Sequence, residues 1–300
     1  MKEKVRYTFI DLLRGWAIIL MIEPHVFNTF LLPELKQTGW FGVVTFINGL
    51  IAPAFLFVSG FVFEISSGSK LDDMRKFKFP FWKKLWRIIS IILIGYALHL
   101  PYKSLSKIIN KSTAQQLQGF YAVDVLQCIG VGLLVLFVLR LIISSDKIYY
   151  YSLIVLTIVV TAVSPFFWKT EFTNYLHPVF ANYFNRLNGS LFPVFPWLNF
   201  ILVGAIFAKY FLAAASNGKE VKFIKATTFT GLIMLSSGHL FYSGLFPGSL
   251  TSILPNPVFF VERLGYVLVF ASLCWYYANW RKTRKSFVID ASRESLLIYW

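Results

Sequence analysis

The chain has 300 residues, of which 57% are apolar, 19% aromatic and 14% charged, whereas an ordinary soluble domain carries about 25% charged residues. This composition excludes a soluble globular domain and indicates an integral membrane protein. The net charge of +15 does not indicate nucleic-acid binding, because the basic residues form short clusters between long apolar runs, and we expect no nucleic-acid partner.

The first apolar run follows the segment Met1-Lys2-Glu3-Lys4 and at first sight looks like a signal peptide. However, the run is longer than the apolar region of a signal peptide and contains Asp11, Arg14 and Glu23. No small-x-small cleavage site precedes the next run. We therefore predict that this segment is a retained first helix.

Eight runs are long enough for a transmembrane helix, which needs about 20 apolar residues. A ninth run starts near Phe287 and is interrupted at Trp300, so we expect the natural chain to continue. The predicted fold is an all-α polytopic helical bundle, with one transmembrane domain over residues 1–300. The eight predicted spans are approximately 8–31, 43–66, 86–104, 120–143, 148–168, 193–215, 222–244 and 257–279.

The distribution of Lys and Arg between alternate loops predicts the orientation, because cytoplasmic loops carry the excess. A cytoplasmic N-terminus gives the inner segments most of the 29 Lys and Arg residues, and Arg14 lies within a span. The outer segments then hold Lys36, Lys103, Lys107, Lys111, Lys169, Arg186 and Arg263. We expect a multi-pass protein of the cell (inner) membrane with its N-terminus in the cytoplasm.

The first run holds four ionisable residues: Asp11, Arg14, Glu23 and His25. A charged group within a span costs roughly 2.5–3.5 kcal/mol on insertion scales, and such groups usually face a cavity or a partner. Arg14 and His25 are eleven residues apart, which places them on one helix face and about 16 Å apart along the axis. Asp11 precedes Arg14 by three residues and is well placed to pair with it.

These residues leave several interpretations open. In the structural one, Arg14 reaches the inner interface, Asp11 neutralises it and His25 makes an interhelical hydrogen bond. In a second, the four residues form a proton or ion path of a coupled transporter; inverted repeats would favour it, and none is visible. A lipid flippase or a scaffold is a further alternative. In the last, His25 performs acid–base or nucleophilic chemistry.

The segment Asp11-Leu12-Leu13-Arg14-Gly15, followed by His25, resembles the Arg-x10-His pattern of the transmembrane acyltransferase superfamily. That superfamily includes the acyltransferase-3 proteins and the heparan-α-glucosaminide N-acetyltransferase family. With Asn28, the segment is most similar to bacterial members of the latter family. Weaker similarities occur at residues 52–60, 125–130, 195–197 and 292–300.

The resemblance implies an enzyme that takes an acetyl group from cytoplasmic acetyl-CoA and delivers it to an amine or hydroxyl of a sugar or glycan outside the cytoplasm. It implies that His25 is catalytic, as a general base or as an acylated nucleophile, with Asn28 beside it. Since CoA is a polyanion, it should dock at the basic inner face. The residues assigned to it are Asp11, Arg14, Lys83, Lys84 and Arg87.

The expected partners are therefore the lipid bilayer, acetyl-CoA and the glycan acceptor, with no metal, and a homodimer is left open. Other polar residues receive mainly structural interpretations: Cys128 and Cys274 as buried small hydrophobes, Asp124 and Gln127 as hydrogen-bonding residues, Ser59-Gly60 as a close helix contact, Glu262-Arg263 as an ion pair, with contact to the acceptor as the alternative, and His99, His177 and His239 as histidines near outer helix ends or in outer loops, without a motif.

Overall fold

The computed structural model describes residues 7–68, 70–102, 105–281 and 286–293, and these residues form helices and connecting segments without a strand. This confirms the all-α prediction. The α-helices of the described chain are α1 (Thr8–Phe30), α2 (Gly39–Gly68), α3 (Leu71–Arg75), α4 (Phe79–Leu98), α5 (Leu105–Lys111), α6 (Ala114–Tyr121), α7 (Val125–Ile142), α8 (Asp146–Phe167), α9 (Pro178–Ala181), α10 (Val194–Ser216), α11 (Glu220–Leu240), α12 (Gly248–Thr251), α13 (Pro257–Arg281) and α14 (Phe287–Arg293).

Five of the described helices are long and apolar enough to cross a membrane, namely α2, α7, α8, α10 and α13. The chain is therefore a helical membrane protein. Helices α1, α4 and α11 coincide with the three other predicted spans, but they carry charged or polar side chains that lower their apolar character. A total of eight spans and a cytoplasmic N-terminus remain predictions.

The third predicted span, 86–104, differs most from the structure. Helix α4 begins at Phe79 and ends at Leu98. Pro80 lies in its first turn, where a missing N–H leaves no hydrogen bond unmade, and Pro101 follows its end. Consequently Lys83, Lys84 and Arg87, which are predicted to bind CoA, lie within the first three turns of α4.

The fourth predicted span, 120–143, is divided in two. Helix α6 ends at Tyr121 and α7 begins at Val125. Asp124 caps α7: its carboxylate accepts from the Val125 N–H at 2.7 Å, and its own N–H donates to Gln127 Oε1 at 3.2 Å. This reciprocal capping box starts a new helix and confirms the structural role predicted for Asp124 and Gln127.

The seventh predicted span, 222–244, ends early. Helix α11 stops at Leu240, and a π-helical turn follows at Phe241–Leu245. Gly244 in this turn has a φ of 91°, a left-handed conformation that favours glycine. The turn leaves His239 in the last turn of α11.

Helix packing divides the chain into two compact units. The first unit comprises Met1–Val58, Phe211–Leu245 and Val261–Trp300, and the second comprises Ser59–Tyr210 and Phe246–Phe260, as far as these ranges are described. The first unit therefore contains α1, the first part of α2, α11, α14 and most of α13. Cys128 and Cys274 are buried and form no disulfide, as predicted.

In the second unit, a buried ion pair joins α2, α7 and α8. Arg140 and Glu64 bind each other with side chains only 5% and 4% exposed. Tyr150 Oη donates to Glu64 at 2.5 Å, and Asp146 binds Arg140 at 2.6 Å. Because removal of one member of a buried pair typically costs about 3–5 kcal/mol, this network fixes how the three helices meet.

Helices α2 and α10 approach closely in the same unit. A Cβ on Gly60 would overlap the Ile201 carbonyl, so only glycine permits this contact. The close packing predicted at Ser59-Gly60 is confirmed.

Between α8 and α9, Glu171 organises a connecting segment. Its carboxylate accepts from the Thr173 hydroxyl at 2.6 Å and from the Asn188 amide at 3.0 Å. These hydrogen bonds favour the charged form and hold the pKa of Glu171 below its ordinary value.

Candidate functional site

Helix α1 carries the residues of the first sequence motif. The Asp11 carboxylate lies 4.0 Å from the Arg14 guanidinium, one turn along the helix. This is the pairing that the three-residue spacing predicts. Both side chains are partly buried, so each charge offsets the other where α1 begins.

Arg14 also binds the far end of the chain. Its Nε donates to Ser292 Oγ at 2.8 Å, and its Nη2 donates to the Ser292 carbonyl oxygen. Ser292 belongs to α14, which packs along α1. A Cβ on Gly15 would overlap the Val288 carbonyl, so the glycine that follows Arg14 is what lets α14 lie against α1. The first motif and the described part of the last one therefore meet.

His25 lies near the other end of α1, and its side chain is exposed. The Thr29 hydroxyl donates to the His25 backbone carbonyl at 2.7 Å. This hydrogen bond does not involve the imidazole. The side chain of Asn28, the predicted neighbour of His25, lies outside the described structure. Glu23 has a buried carboxylate oxygen, Oε1, with no hydrogen-bond partner among the described residues.

We call the end of the first unit where α1 begins its proximal end, and the end where α1 finishes its distal end. At the distal end, Phe27 contacts Trp40 at the start of α2, with 6.0 Å between ring centroids. Six residues further along α2, or about 9 Å, Phe46 contacts Tyr266 of α13 at 5.2 Å. The Arg263 guanidinium lies 4.8 Å from the same Phe46 ring. His25 and Arg263 thus belong to the same end.

An apolar slot of about 290 Å³ lies between α1, α2 and α13. Ala17 and Leu20 of α1 line it, and both fall between Arg14 and His25 in the sequence. Tyr266 contributes the one hydroxyl group of the lining. The remaining lining residues are Ile47, Leu50, Ile51, Ala54, Val267, Val269, Phe270 and Leu273. The slot therefore borders part of the stretch of α1 that separates the two polar ends.

A second polar pair at the distal end was not predicted from the sequence. His239 of α11 lies 3.2 Å from Glu262 of α13, measured from Nδ1 to Oε1. Glu262 was expected to pair with Arg263, to which it is coupled electrostatically; the Arg263 guanidinium also contacts the ring and carbonyl of Phe46. The pair joins residues 23 positions apart, and the motifs contain neither of them.

The basic residues of α4 belong to the second unit and divide into two kinds. Lys84 Nζ donates to Ser66 Oγ at 3.1 Å, to the Phe63 carbonyl at 3.3 Å and to Ser67 Oγ, so its three protons are directed at the end of α2. Lys83 and Arg87 are exposed. Among these three residues of α4, only Lys83 and Arg87 therefore have charged groups that are open to a ligand.

The two other histidines have structural contacts in the second unit. His99 Nδ1 bonds the Gly95 carbonyl at 2.9 Å, and its Nε2 lies 3.7 Å from Asp124. His177 accepts from the Val179 N–H at 3.4 Å and caps α9. Neither contact indicates a catalytic role.

Comparison with known proteins assigns the chain to a family. Residues 6–242 match the family model described as heparan-alpha-glucosaminide N-acetyltransferase, catalytic. No curated protein and no solved structure matches the chain. The match covers most of the chain, including α1 with Arg14 and His25, whereas α13 and α14 lie beyond it. The chain belongs to the heparan-alpha-glucosaminide N-acetyltransferase catalytic family.

Proposed function

We propose that the protein is a membrane-bound acetyltransferase that uses cytoplasmic acetyl-CoA and acetylates an amine or hydroxyl of a sugar or glycan outside the cytoplasm. The observation that carries the proposal is the family match over residues 6–242, which includes Arg14 near one end of α1 and His25 near the other. Family membership supplies the reaction class. The apolar slot borders α1 between these two residues, and we infer that it accommodates the uncharged part of the donor.

Within the second unit, the exposure of Lys83 and Arg87 supports contact of these two side chains with the phosphates of CoA. Lys84 holds the end of α2, and Arg14 with Asp11 holds α14. We therefore assign these three residues a supporting role in donor binding, through the position of the helices that they join.

The slot fits a slender, uncharged group. Its volume of about 290 Å³ is at the lower end of the 300–1,000 Å³ that ligand pockets usually have, and charged phosphates would be costly in an apolar lining. The neutral pantetheine arm satisfies both conditions. The lining offers the amides of this arm one hydrogen-bonding hydroxyl, that of Tyr266. We therefore expect the arm to enter the slot during transfer and to bind there weakly.

Near the distal end, His25 receives the acetyl group or assists its transfer. As a general base, the neutral imidazole takes the proton of the acceptor; as a nucleophile, it forms an acetyl-imidazole that the acceptor then attacks. Asn28 follows His25 by three residues, and we assign it to the orientation of the imidazole or of the thioester carbonyl. The same first experiment tests His25 as a general base and as a nucleophile.

The test supplies radiolabelled acetyl-CoA to purified protein in liposomes, with methyl α-glucosaminide and methyl α-glucoside as acceptors. The wild type should form an acetylated sugar, and His25→Ala should lower the rate by at least ~10²-fold while the protein stays folded. His177→Ala, which removes another exposed histidine, is the control and should keep wild-type activity. Labelled sugar at the wild-type rate from His25→Ala would remove His25 from the mechanism.

A second variant tests the slot. Ala17→Leu places a larger side chain in the lining and should lower the rate of transfer while the affinity for CoA itself, measured by calorimetry, stays the same. The transporter alternative predicts a different outcome, in which acetyl-CoA has no effect and the variants of Glu23 and His25 change proton or ion flux. Flux without acetyl transfer would overturn the proposed function.

A further inference from the structure

His239 and Glu262 form a histidine–carboxylate pair that differs from the other histidine contacts in its exposure. The Glu262 side chain is 9% exposed, whereas the His239 side chain is 69% exposed. The carboxylate is therefore held inside the protein, and the imidazole projects from it. Such a pair has one ring nitrogen fixed by the carboxylate and the other directed outward.

Glycines fix the position of this pair. A Cβ on Gly265 of α13 would lie 2.8 Å from the Gly231 carbonyl of α11, and one on Gly238 would lie 2.6 Å from Glu262 Cγ. Both distances are too short for a real Cβ, so the two helices approach as closely as glycine allows. This packing places the residue after Gly238, which is His239, beside the Glu262 carboxylate.

The contact between Nδ1 and the carboxylate has a chemical consequence. A carboxylate at Nδ1 favours the tautomer with the proton on that nitrogen. Nε2 is then left with its lone pair, on a largely exposed ring. This is the arrangement that a general base requires.

The pair lies at the same end of the first unit as His25. Arg263, the neighbour of Glu262, contacts Phe46 in the part of α2 that follows the α1–α2 connection. Arg263, Tyr242 and Tyr266 are the charged or titratable groups coupled electrostatically to Glu262. The distal end of the first unit thus carries two exposed histidines and one guanidinium.

We propose that His239 is the proton acceptor for the acyl acceptor and that Glu262 is its positioning residue, an inference that rests on the proposed function. A sugar ammonium first gives one proton to His239 Nε2, which passes it to water. The neutral amine nitrogen, or a hydroxyl oxygen, then attacks the acetyl carbonyl carbon, and its next proton passes to His239 Nε2 as the new C–N or C–O bond forms. The bond from the acetyl carbon to the thioester sulfur, or to the His25 nitrogen in a two-step route, then breaks. The leaving group takes up one proton, and His239 releases its proton to water.

The assignment divides the work between the two histidines. With His239 as the base, His25 does not take the proton of the acceptor. It carries the acetyl group in the two-step route or positions the thioester in the direct route, and it is needed for every acceptor. His239 activates the acceptor and is needed only by an acceptor that must lose a proton to attack, such as a sugar ammonium or hydroxyl. Hydroxylamine is a neutral nucleophile at neutral pH and needs no such help.

The experiment therefore compares methyl α-glucosaminide with hydroxylamine as acceptors, at saturating acetyl-CoA. His239→Ala should lower kcat for the sugar by at least ~10²-fold, keep the KM for acetyl-CoA and keep transfer to hydroxylamine within a few-fold. Added imidazole should restore part of the sugar reaction. His177→Ala is the matched control and should alter neither reaction.

Glu262→Gln keeps the shape of the side chain and removes its charge. Because an amide fixes the tautomer of the ring less firmly than a carboxylate does, this variant should lower kcat for the sugar and leave the KM for acetyl-CoA and the transfer to hydroxylamine within a few-fold of the wild type. A structural role would instead lower both reactions equally.

Equal losses for both acceptors in His239→Ala, or no loss for the sugar, would overturn the inference, as would a wild type that acetylates hydroxylamine alone. The proposed function survives these outcomes as long as the wild type forms acetyl products from acetyl-CoA. A wild type that forms no product with either acceptor refutes the proposed function and the inference together.

Discussion

Arg14 could affect acetyl-CoA binding by holding α14 in place or by contacting acetyl-CoA directly. Replacing Gly15 by alanine distinguishes these two roles. The new Cβ overlaps the Val288 carbonyl, so α14 has to move away from α1. That movement breaks both hydrogen bonds from Arg14 to Ser292. Bonds to charged groups contribute about 1.5–3 kcal/mol each, so their loss should raise the local opening of α14 by ~10²–10⁴-fold.

Hydrogen exchange of the 286–293 amides in the purified protein measures this opening. Ser292→Ala removes one of the two acceptors and should raise exchange by ~10–10²-fold. Gly42→Ala is the matched control, because a Cβ there has no atom within 4 Å, and it should leave these amides unchanged. Equal exchange in the wild type and in Gly15→Ala would refute the proposed packing of α14.

The same variants decide how Arg14 affects the donor. If Arg14 supports acetyl-CoA binding through α14, then Gly15→Ala and Arg14→Ala should both weaken the affinity for CoA, measured by calorimetry, and Ser292→Ala should weaken it less. A direct contact between Arg14 and CoA predicts a weaker affinity in Arg14→Ala alone. Unaltered affinity in all three variants would exclude Arg14 from donor binding.

Three further predictions concern the rest of the chain. Arg140→Met should lower the free energy of unfolding by about 3–5 kcal/mol, because it leaves the Glu64 carboxylate buried without a guanidinium partner. The double variant with Glu64→Leu should recover part of this loss. Thermal unfolding in detergent measures both variants, and a double variant as unstable as Arg140→Met would contradict the coupling. A cysteine introduced at Asn110 should react with a membrane-impermeant thiol reagent added to intact cells, whereas a cysteine introduced at Lys76 should not. The reverse result would show that the orientation is inverted. Folding lowers the pKa of Glu171, so its carboxylate stabilises the folded protein at pH values above the ordinary pKa of about 4.5, and this stabilisation should be lost as the pH falls below that value. Glu171→Gln should remove this part of the pH dependence of unfolding. An unchanged pH dependence in the variant would contradict the role of Glu171.

The apolar runs predicted the long helices well, because burial in lipid requires a continuous stretch of apolar side chains with all backbone hydrogen bonds made inside the helix. The helix ends were harder to predict. Asp124 interrupts an apolar run by capping α7, and Pro80 allows α4 to begin before the run does. Local capping therefore set boundaries that hydropathy alone does not contain.

Candidate site residues were predictable where they share one helix. The three-residue spacing of Asp11 and Arg14 predicts their contact from helix geometry alone. The contacts of Arg14 with Ser292 and of His239 with Glu262 join residues 278 and 23 positions apart, so they depend on how helices pack. Glycines at positions 15 and 238 were the available signal, since a glycine within an apolar helix often marks a close approach.

The distribution of polarity within the first unit favours acyl transfer over ion transport. A path for protons or ions needs polar groups through the depth of the membrane, because an ion in an apolar region loses its hydration without replacement. Between Arg14 and His25 the slot offers one hydroxyl, that of Tyr266, in an otherwise apolar lining. A thioester arm is uncharged and can enter such a slot while the phosphates of CoA stay at a basic surface. Ionisable side chains at the two ends, separated by an apolar slot, therefore fit the transfer of an acetyl group better than the passage of a charge.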